Sequence, residues 1–218
     1  MVRLENVTKV WTMDGRRKVV ADGMTATFPD RVSVALLGRN GTGKSTLLRM
    51  IGGAMKPNAG RIVTTGLISP PVSFGGAFHG EMTGRQNVRF VARIYGIDTD
   101  ALCDFVEDFA QLGVHFSLPV RTYSSGMRSR LAFGVSMGIS FDTYLMDEVT
   151  AVGDAEFKAR CHDVISERMR TSGAIVVTHS MKQVRELCQA GAVLEDGRIT
   201  YFEDVEEAIA HHQANLAA

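Results

Sequence analysis

Residues Gly38–Thr46 read GRNGTGKST, the G-x-x-x-x-G-K-[ST] spacing in which a glycine-rich loop turns its backbone N–H groups on a phosphate chain. Gly38, Gly41 and Gly43 let the main chain wrap the phosphates, and Arg39, Asn40 and Thr42 complete the loop. Lys44 reaches the β and γ oxygens, Ser45 offers its hydroxyl to Mg²⁺, and Thr46 contacts the α-phosphate. A second stretch, Tyr123-Ser124-Ser125-Gly126-Met127-Arg128, is a short Ser-Ser-Gly turn that opens a helical run. Its hydroxyls and bare N–H groups suit the γ-phosphate of a nucleotide bound elsewhere. One chain rarely needs two such loops for one nucleotide, so Ser124, Ser125, Gly126 and Met127 are expected to serve a second copy of the chain. Asp147 and Glu148 stand together, one placed to hold a metal ion through water and the other to address an attacking water. An isolated Asp-Glu pair reads better as a polar strand end; the phosphate loop about a hundred residues upstream in an α/β pattern is what turns the reading to catalysis. His179 offers an imidazole to the γ-phosphate or to the attacking water, against the alternative of an inert loop histidine.

Such residues need strand tips and helix starts to position them. Val32–Leu37 is a short apolar run that leads into the phosphate loop, and Ser45–Met55 reads as the helix after it. Thr143–Met146 and Ala174–Val177 are apolar strands ending at Asp147-Glu148 and near His179, with helical stretches between, which predicts a parallel sheet covered by helices. Residues 1–30 carry strand-like stretches (Val2/Leu4, Val19-Val20, and Met24/Ala26/Phe28 alternating with Thr25 and Thr27) around a turn at Asp14-Gly15, predicting a small antiparallel sheet. Pro57-Asn58-Ala59-Gly60 is a turn before Arg61–Thr64, and Pro70-Pro71 with Gly75-Gly76 predicts an irregular segment. From Met82 to Met137 the rhythm is helical, with Leu102, Phe105, Val106, Phe109 and Leu112 on one face. Ala192–Glu195, the turn Asp196-Gly197 and Ile199–Phe202 read as a closing hairpin before a last helix from Asp204. The expected division is one domain, with residues 1–80 and 140–218 as α/β core plus β subdomain and 81–139 as an inserted helical subdomain.

Composition narrows the function classes. The 218 residues are 45% hydrophobic and 22% charged, enough for one globular unit with a sizeable core. Lys plus Arg and Asp plus Glu are both 24, so no basic excess points to nucleic acid or to a charge-driven membrane contact. No run approaches the ~18 apolar residues of a bilayer span, and MVRLENVTKV lacks the apolar core of a signal peptide. A cytosolic chain that docks onto an embedded partner is expected. Cys103, Cys161 and Cys188 are odd in number and widely spaced, which argues for reduced structural thiols rather than a disulfide or zinc site.

In their order along the chain these motifs resemble those of ATP-binding cassette (ABC) ATPases over essentially the full length. Gly38–Thr46 is similar to Walker A, Ser124–Arg128 to the LSGGQ-type signature, Tyr144–Asp147 with Glu148 to Walker B and its catalytic Glu, and His179 to the switch histidine. The resemblance implies a RecA-like P-loop NTPase core of α/β class with an N-terminal antiparallel β subdomain and an inserted α-helical subdomain. It implies ATP and Mg²⁺ as cofactors, Ser45 and Asp147 as metal ligands, and Lys44, Glu148 and His179 as catalytic groups. Trp11, the only Trp, falls where the family usually stacks a Tyr on adenine; an ordinary half-buried aromatic is the alternative. Asp154 falls on the D-loop that bridges two protomers. The implied assembly is a head-to-tail pair of copies, with two copies of a separate transmembrane permease, on the cytoplasmic face of the inner membrane as a peripheral subunit.

Residues 82–87, 123–134 and 147–161 narrow the resemblance to the polysaccharide-exporting branch, most closely to capsular-polysaccharide exporter ATPases. The chain ends at Ala218 without the carbohydrate-binding extension of many O-antigen exporters, which favours a capsule cargo. O-antigen or teichoic-acid-type export, a soluble regulatory ABC protein and a non-hydrolysing P-loop module are the alternatives. Two departures stand out. Where the family usually places a Gln before the helical subdomain this chain has Phe74, with Ser73 and His79 as weak substitutes, and Met127 replaces the signature Gln.

Overall fold

The computed structural model describes residues 1–13, 15–72, 78–147 and 154–217. The chain divides into two compact units: Met1–Pro71 with Phe141–Val149 and Met169–Ala218, and Val72–Ser140 with Thr150–Arg168.

The first unit holds two sheets. Strands β1 (Val2–Met13), β2 (Arg16–Phe28) and β4 (Ala59–Thr64) form an antiparallel sheet in the order β2-β1-β4. The larger sheet has the order β5-β6-β7-β3-β8-β9, from β5 (Ile68–Pro71), β6 (Thr143–Asp147), β7 (Gly173–Val177), β3 (Ser33–Leu37), β8 (Ala190–Glu195) and β9 (Arg198–Phe202). All its pairings are parallel except β8 with β9. Every residue of β3 and β7 is buried, as central parallel strands require. Helices α1 (Lys44–Ile51), α6 (Met181–Leu187) and α7 (Val205–Ala217) belong to this unit. Its core joins Leu47, Leu48 and Ile51 of α1 to Leu36, Leu145, Ile175, Ala192 and Leu194 of the large sheet and to Leu4, Val7 and Phe28 of the small one.

Two expectations need correction. The helix after the phosphate loop stops at Ile51, not Met55, because Gly52 caps it and Gly53 takes φ +74°, a left-handed conformation that leaves the helix. Pro70 and Pro71, expected in an irregular segment, lie in β5. That strand sits at the sheet edge, where a missing N–H breaks no ladder on its open side, and the Ser69 hydroxyl accepts the Leu145 N–H at 2.8 Å instead.

The second unit is helical: α2 (Gly84–Tyr95), α3 (Thr99–Ala110), α4 (Ser125–Gly138) and α5, whose Ala155–Met169 begins in this unit, with short 3-10 turns at Gly113–Ser117 and Val120–Thr122. Its helix starts are chemically marked. Thr83 and Gln86 form a reciprocal capping box on α2, Asp98 caps α3 and Ser124 caps α4. Leu102, Val106 and Phe109 of α3 are buried, and the Phe109 ring stacks on Phe105 and Phe133 and meets Phe157 edge-on at 5.3 Å.

Candidate functional site

The phosphate loop connects β3 to α1 through three left-handed or extended glycines, Gly38 (φ +152°), Gly41 (φ +81°) and Gly43 (φ +109°). Space as well as dihedral angle demands glycine at two of them. A Cβ on Gly38 would lie 2.5 Å from the Leu194 carbonyl oxygen, and one on Gly43 would enter the Val20 side chain. No side chain caps α1, so its first N–H groups remain directed at the loop, as an anion site requires. Lys44 folds back over the loop and donates from Nζ to the carbonyls of Gly38 at 2.6 Å and Arg39 at 3.0 Å. Phosphate oxygens, being charged, are stronger acceptors for an ammonium than these carbonyls.

Around this loop opens a cleft of about 1050 Å³, lined by Trp11, Arg16, Lys18, Val20, Asn40, Gly41, Gly43, Lys44, Ser45, Thr46, Val177 and His179. Most of the residues expected from the sequence to bind a nucleotide therefore converge on one concavity of a size suited to it. Trp11 is 38% exposed and lines the cleft, and the Lys9 ammonium stands 4.9 Å from its ring centroid. Arg16, Lys18 and Val20 went unrecognised in the sequence. Their signal was the basic run Arg16-Arg17-Lys18 just after a hairpin turn, which looks like a solvated strand end until the β1–β2 register sets Lys18 opposite Trp11.

Asp147 ends one strand, and His179 follows the strand next to it. Asp147 closes β6 in register with Val177 of β7, and His179 follows two residues later in the loop to α6. Crevices at the carboxyl ends of parallel strands are where α/β sheets hold ligands. The His179 loop is pinned on both sides: Thr178 Oγ1 donates to Gln183 Oε1 at 2.8 Å and accepts from the Ser180 N–H at 3.2 Å, while Ser180 Oγ accepts the Gln183 N–H at 3.3 Å. Ser45 and Asp147 supply oxygen donors of the hard kind that Mg²⁺ prefers. Glu148, Ser73 and Phe74 lie outside the described residues. His79 is exposed, and its backbone N–H is bound to the buried Asn87 side chain at 2.8 Å.

In the helical unit, Ser124 Oγ accepts the Met127 N–H at 3.2 Å, so the same hydroxyl expected to read a phosphate also starts α4. Ser125 is exposed, and Tyr123 anchors the turn from beneath by donating to the His115 carbonyl at 2.6 Å. Asp154, expected to bridge two protomers, is engaged within its own unit by Arg130 and by the Phe157 N–H. All three cysteines are free and buried, and burial pushes the Cys161 thiol up to about 11 and Cys188 up to about 12. Among the described residues no group of three or more His, Cys, Asp or Glu is placed to hold a metal ion.

A glycine loop on a strand–helix junction, a strand-end acid, a loop histidine and a Ser-Ser-Gly helix start define an ATP-binding cassette. The chain belongs to the ABC transporter family, whose model matches residues 21–151. It is 46% identical over 219 residues to the Polysialic acid transport ATP-binding protein KpsT of Escherichia coli, covering 99% of this chain and 100% of that one. It is 41% identical over 215 residues to the Capsule polysaccharide export ATP-binding protein CtrD of Neisseria meningitidis serogroup B, covering 98% and 99%. Relatives named for O-antigen and teichoic acid export are more distant. In fold it is similar to the ATP-binding cassette MJ0796 in a dimeric post-hydrolysis state bound to ADP and Pi, with a TM-score of 0.78, 20% identity and coverage of 94% and 99%. Among the described residues no helix is long and apolar enough to cross a membrane.

Proposed function

We propose that this chain is the ATP-hydrolysing subunit of an exporter that moves a capsular polysaccharide across the inner membrane, acting from the cytoplasmic face. The observation that carries the reading is the near-full-length identity to a protein named for polysialic acid transport, joined to a cleft in which Trp11, the phosphate loop and His179 converge.

In this reading the adenine lies on Trp11 and the phosphates along the Gly38–Thr46 loop, with Lys44 leaving its carbonyl acceptors for the β and γ oxygens. Ser45 and Asp147 would hold Mg²⁺, which when bound would neutralise charge on the nucleotide's phosphates. Glu148 orients and deprotonates the attacking water, and His179, fixed by its pinned loop, bonds the γ-phosphate. Two copies close head to tail over two ATP molecules, each contributing Ser124–Met127 to its partner's nucleotide, with Asp154 near the junction. Two copies of a separate permease receive the motion through residues 74–83 and the helical unit.

The test is a capsule-deficient host lacking its own ATPase subunit. The wild-type chain with its permease should restore surface polysaccharide, and Glu148→Gln should abolish export while trapping ATP-bound dimers. Restored ATP hydrolysis with no polymer export in the presence of the permease would overturn the cargo; an active Glu148→Gln would overturn the assignment of Glu148.

A further inference from the structure

The β2 wall of the cleft carries cations that the phosphate loop does not explain. Arg16, Lys18 and Val20 alternate along β2 and line the cleft together, so their side chains share one face of the strand. Lys18 is paired with Trp11 across the β1–β2 ladder, and paired residues project to the same side. Its Nζ is the nearest atom to a Cβ built on Gly41, at 3.4 Å, which sets the ammonium against the bend of the phosphate loop.

The other lysines near this site have protein acceptors. Lys9 donates to the Lys56 carbonyl at 3.1 Å and covers Trp11, and Lys44 donates to two loop carbonyls. Arg16 and Lys18 are exposed, and among the described residues their side chains make neither an ion pair nor a hydrogen bond. No carboxylate lines the cleft among the described residues, although the chain as a whole carries as many acids as bases. A concave surface lined by one sign of charge concentrates the opposite sign, and the field acts most strongly on the ligand with the most charge.

We propose that Lys18, with Arg16 beside it, grips the terminal phosphates of the bound nucleotide from the β2 side and thereby sets a preference for nucleoside triphosphate over diphosphate. The inference rests on the P-loop reading above. Thr46 lies within α1 and takes the α-phosphate end, whereas Gly41 lies at the loop's bend, toward the far end of the phosphate chain. An ammonium at that bend therefore acts on the phosphate that ATP has and ADP lacks. Exposed partnerless side chains can reach it without breaking a native contact.

The experiment is calorimetric titration of the full chain with ATP and with ADP, in the cold and with chelator so that no turnover intervenes, at several salt concentrations. Arg16→Ala/Lys18→Ala should weaken ATP binding about tenfold and ADP binding by less than about threefold, and flatten the salt dependence of ATP binding. Lys18→Arg should keep the wild-type ratio. Unchanged ATP affinity in the double variant would overturn the proposal, as would equal loss of ATP and ADP, the result of a merely disturbed strand. Lys44→Ala separates the two readings: a wild-type chain that bound neither nucleotide, or a Lys44→Ala chain that bound both normally, would remove the P-loop reading and this inference with it.

Discussion

Arg130 Nη2 lies 2.9 Å from Asp154 Oδ2, while Asp154 Oδ1 accepts the Phe157 N–H, also at 2.9 Å, and the Arg130 guanidinium covers the Phe157 ring at 4.5 Å. One carboxylate thus starts α5 and ties it to α4, the helix that begins at the Ser-Ser-Gly turn. The Phe157 N–H first, and Arg130 after it, hold the Asp154 carboxyl below the ordinary aspartate range. A carboxyl depressed on folding stabilises the native state above its unfolded pKa of about 3.9, and that contribution disappears as pH falls through the lower native value. Asp154→Asn should keep the cap but lose the charge, lowering Tm by no more than about 3 °C near neutrality because the Asp154 carboxylate is exposed. Thermal melts from about pH 7 to about pH 3 should show the difference from wild type closing; a constant difference would mean that the charge is not what matters.

Two glycines in the proposed phosphate readers make opposite predictions. Gly43→Ala places a Cβ into Val20 at a left-handed φ of +109°, a conformation costing an L-residue about 1–2 kcal/mol before any clash. Denaturant titration should show that loss, and nucleotide binding should vanish. A Cβ on Gly126 meets nothing nearer than Ser124 Oγ at 3.9 Å, so Gly126→Ala should melt like wild type. If its hydrolysis also stayed normal at concentrations that dimerise the chain, close approach of a partner's phosphate to Gly126 would be excluded.

The site was legible in the sequence to the extent that its chemistry is local. Glycine spacing, a strand before it and a helix after it are all within reach of one loop, and the loop is where the spacing places it. Asp147 and His179 were legible because short apolar strands announce their own ends. Arg16 and Lys18 were not, since a basic pair beside a turn becomes a cleft wall only through its register with Trp11, a property of two strands. Pro70-Pro71 misled for a related reason: the same dipeptide that breaks a central strand is harmless at an edge, and edge position is decided by sheet order. The inner role of Asp154 depended on Arg130, twenty-four residues away.

The helical unit depends on one ring. Phe109 is 3% exposed and contacts Phe105, Phe133 and Phe157, drawn from α3, α4 and α5, with the Arg160 guanidinium also over its face. Phe109→Ala should cost about 3–5 kcal/mol in that unit, through lost burial and the cavity left behind. Phe109→Leu should recover much of it. Hydrogen exchange is the suitable measurement, since it separates amides of α3 and α4 from those of the large sheet; uniform loss of protection across both units would show that they unfold as one.

Trp11 supplies its own reporter, being the only Trp in the chain. One face of the indole is already occupied by the Lys9 ammonium, so an adenine that stacks must take the other and exclude water from it. Adding ATP should therefore change the Trp fluorescence saturably, and a ribose triphosphate without a base should leave it nearly unchanged. Trp11→Ala should weaken ATP binding about tenfold, whereas Trp11→Tyr should retain most of it, because stacking needs a flat ring and not the indole N–H. The decisive comparison is between bases. A Trp11→Ala loss that is equal for ATP and for the base-free triphosphate would assign Trp11 to support of the β1–β2 hairpin, and the adenine would have to be held elsewhere along the cleft.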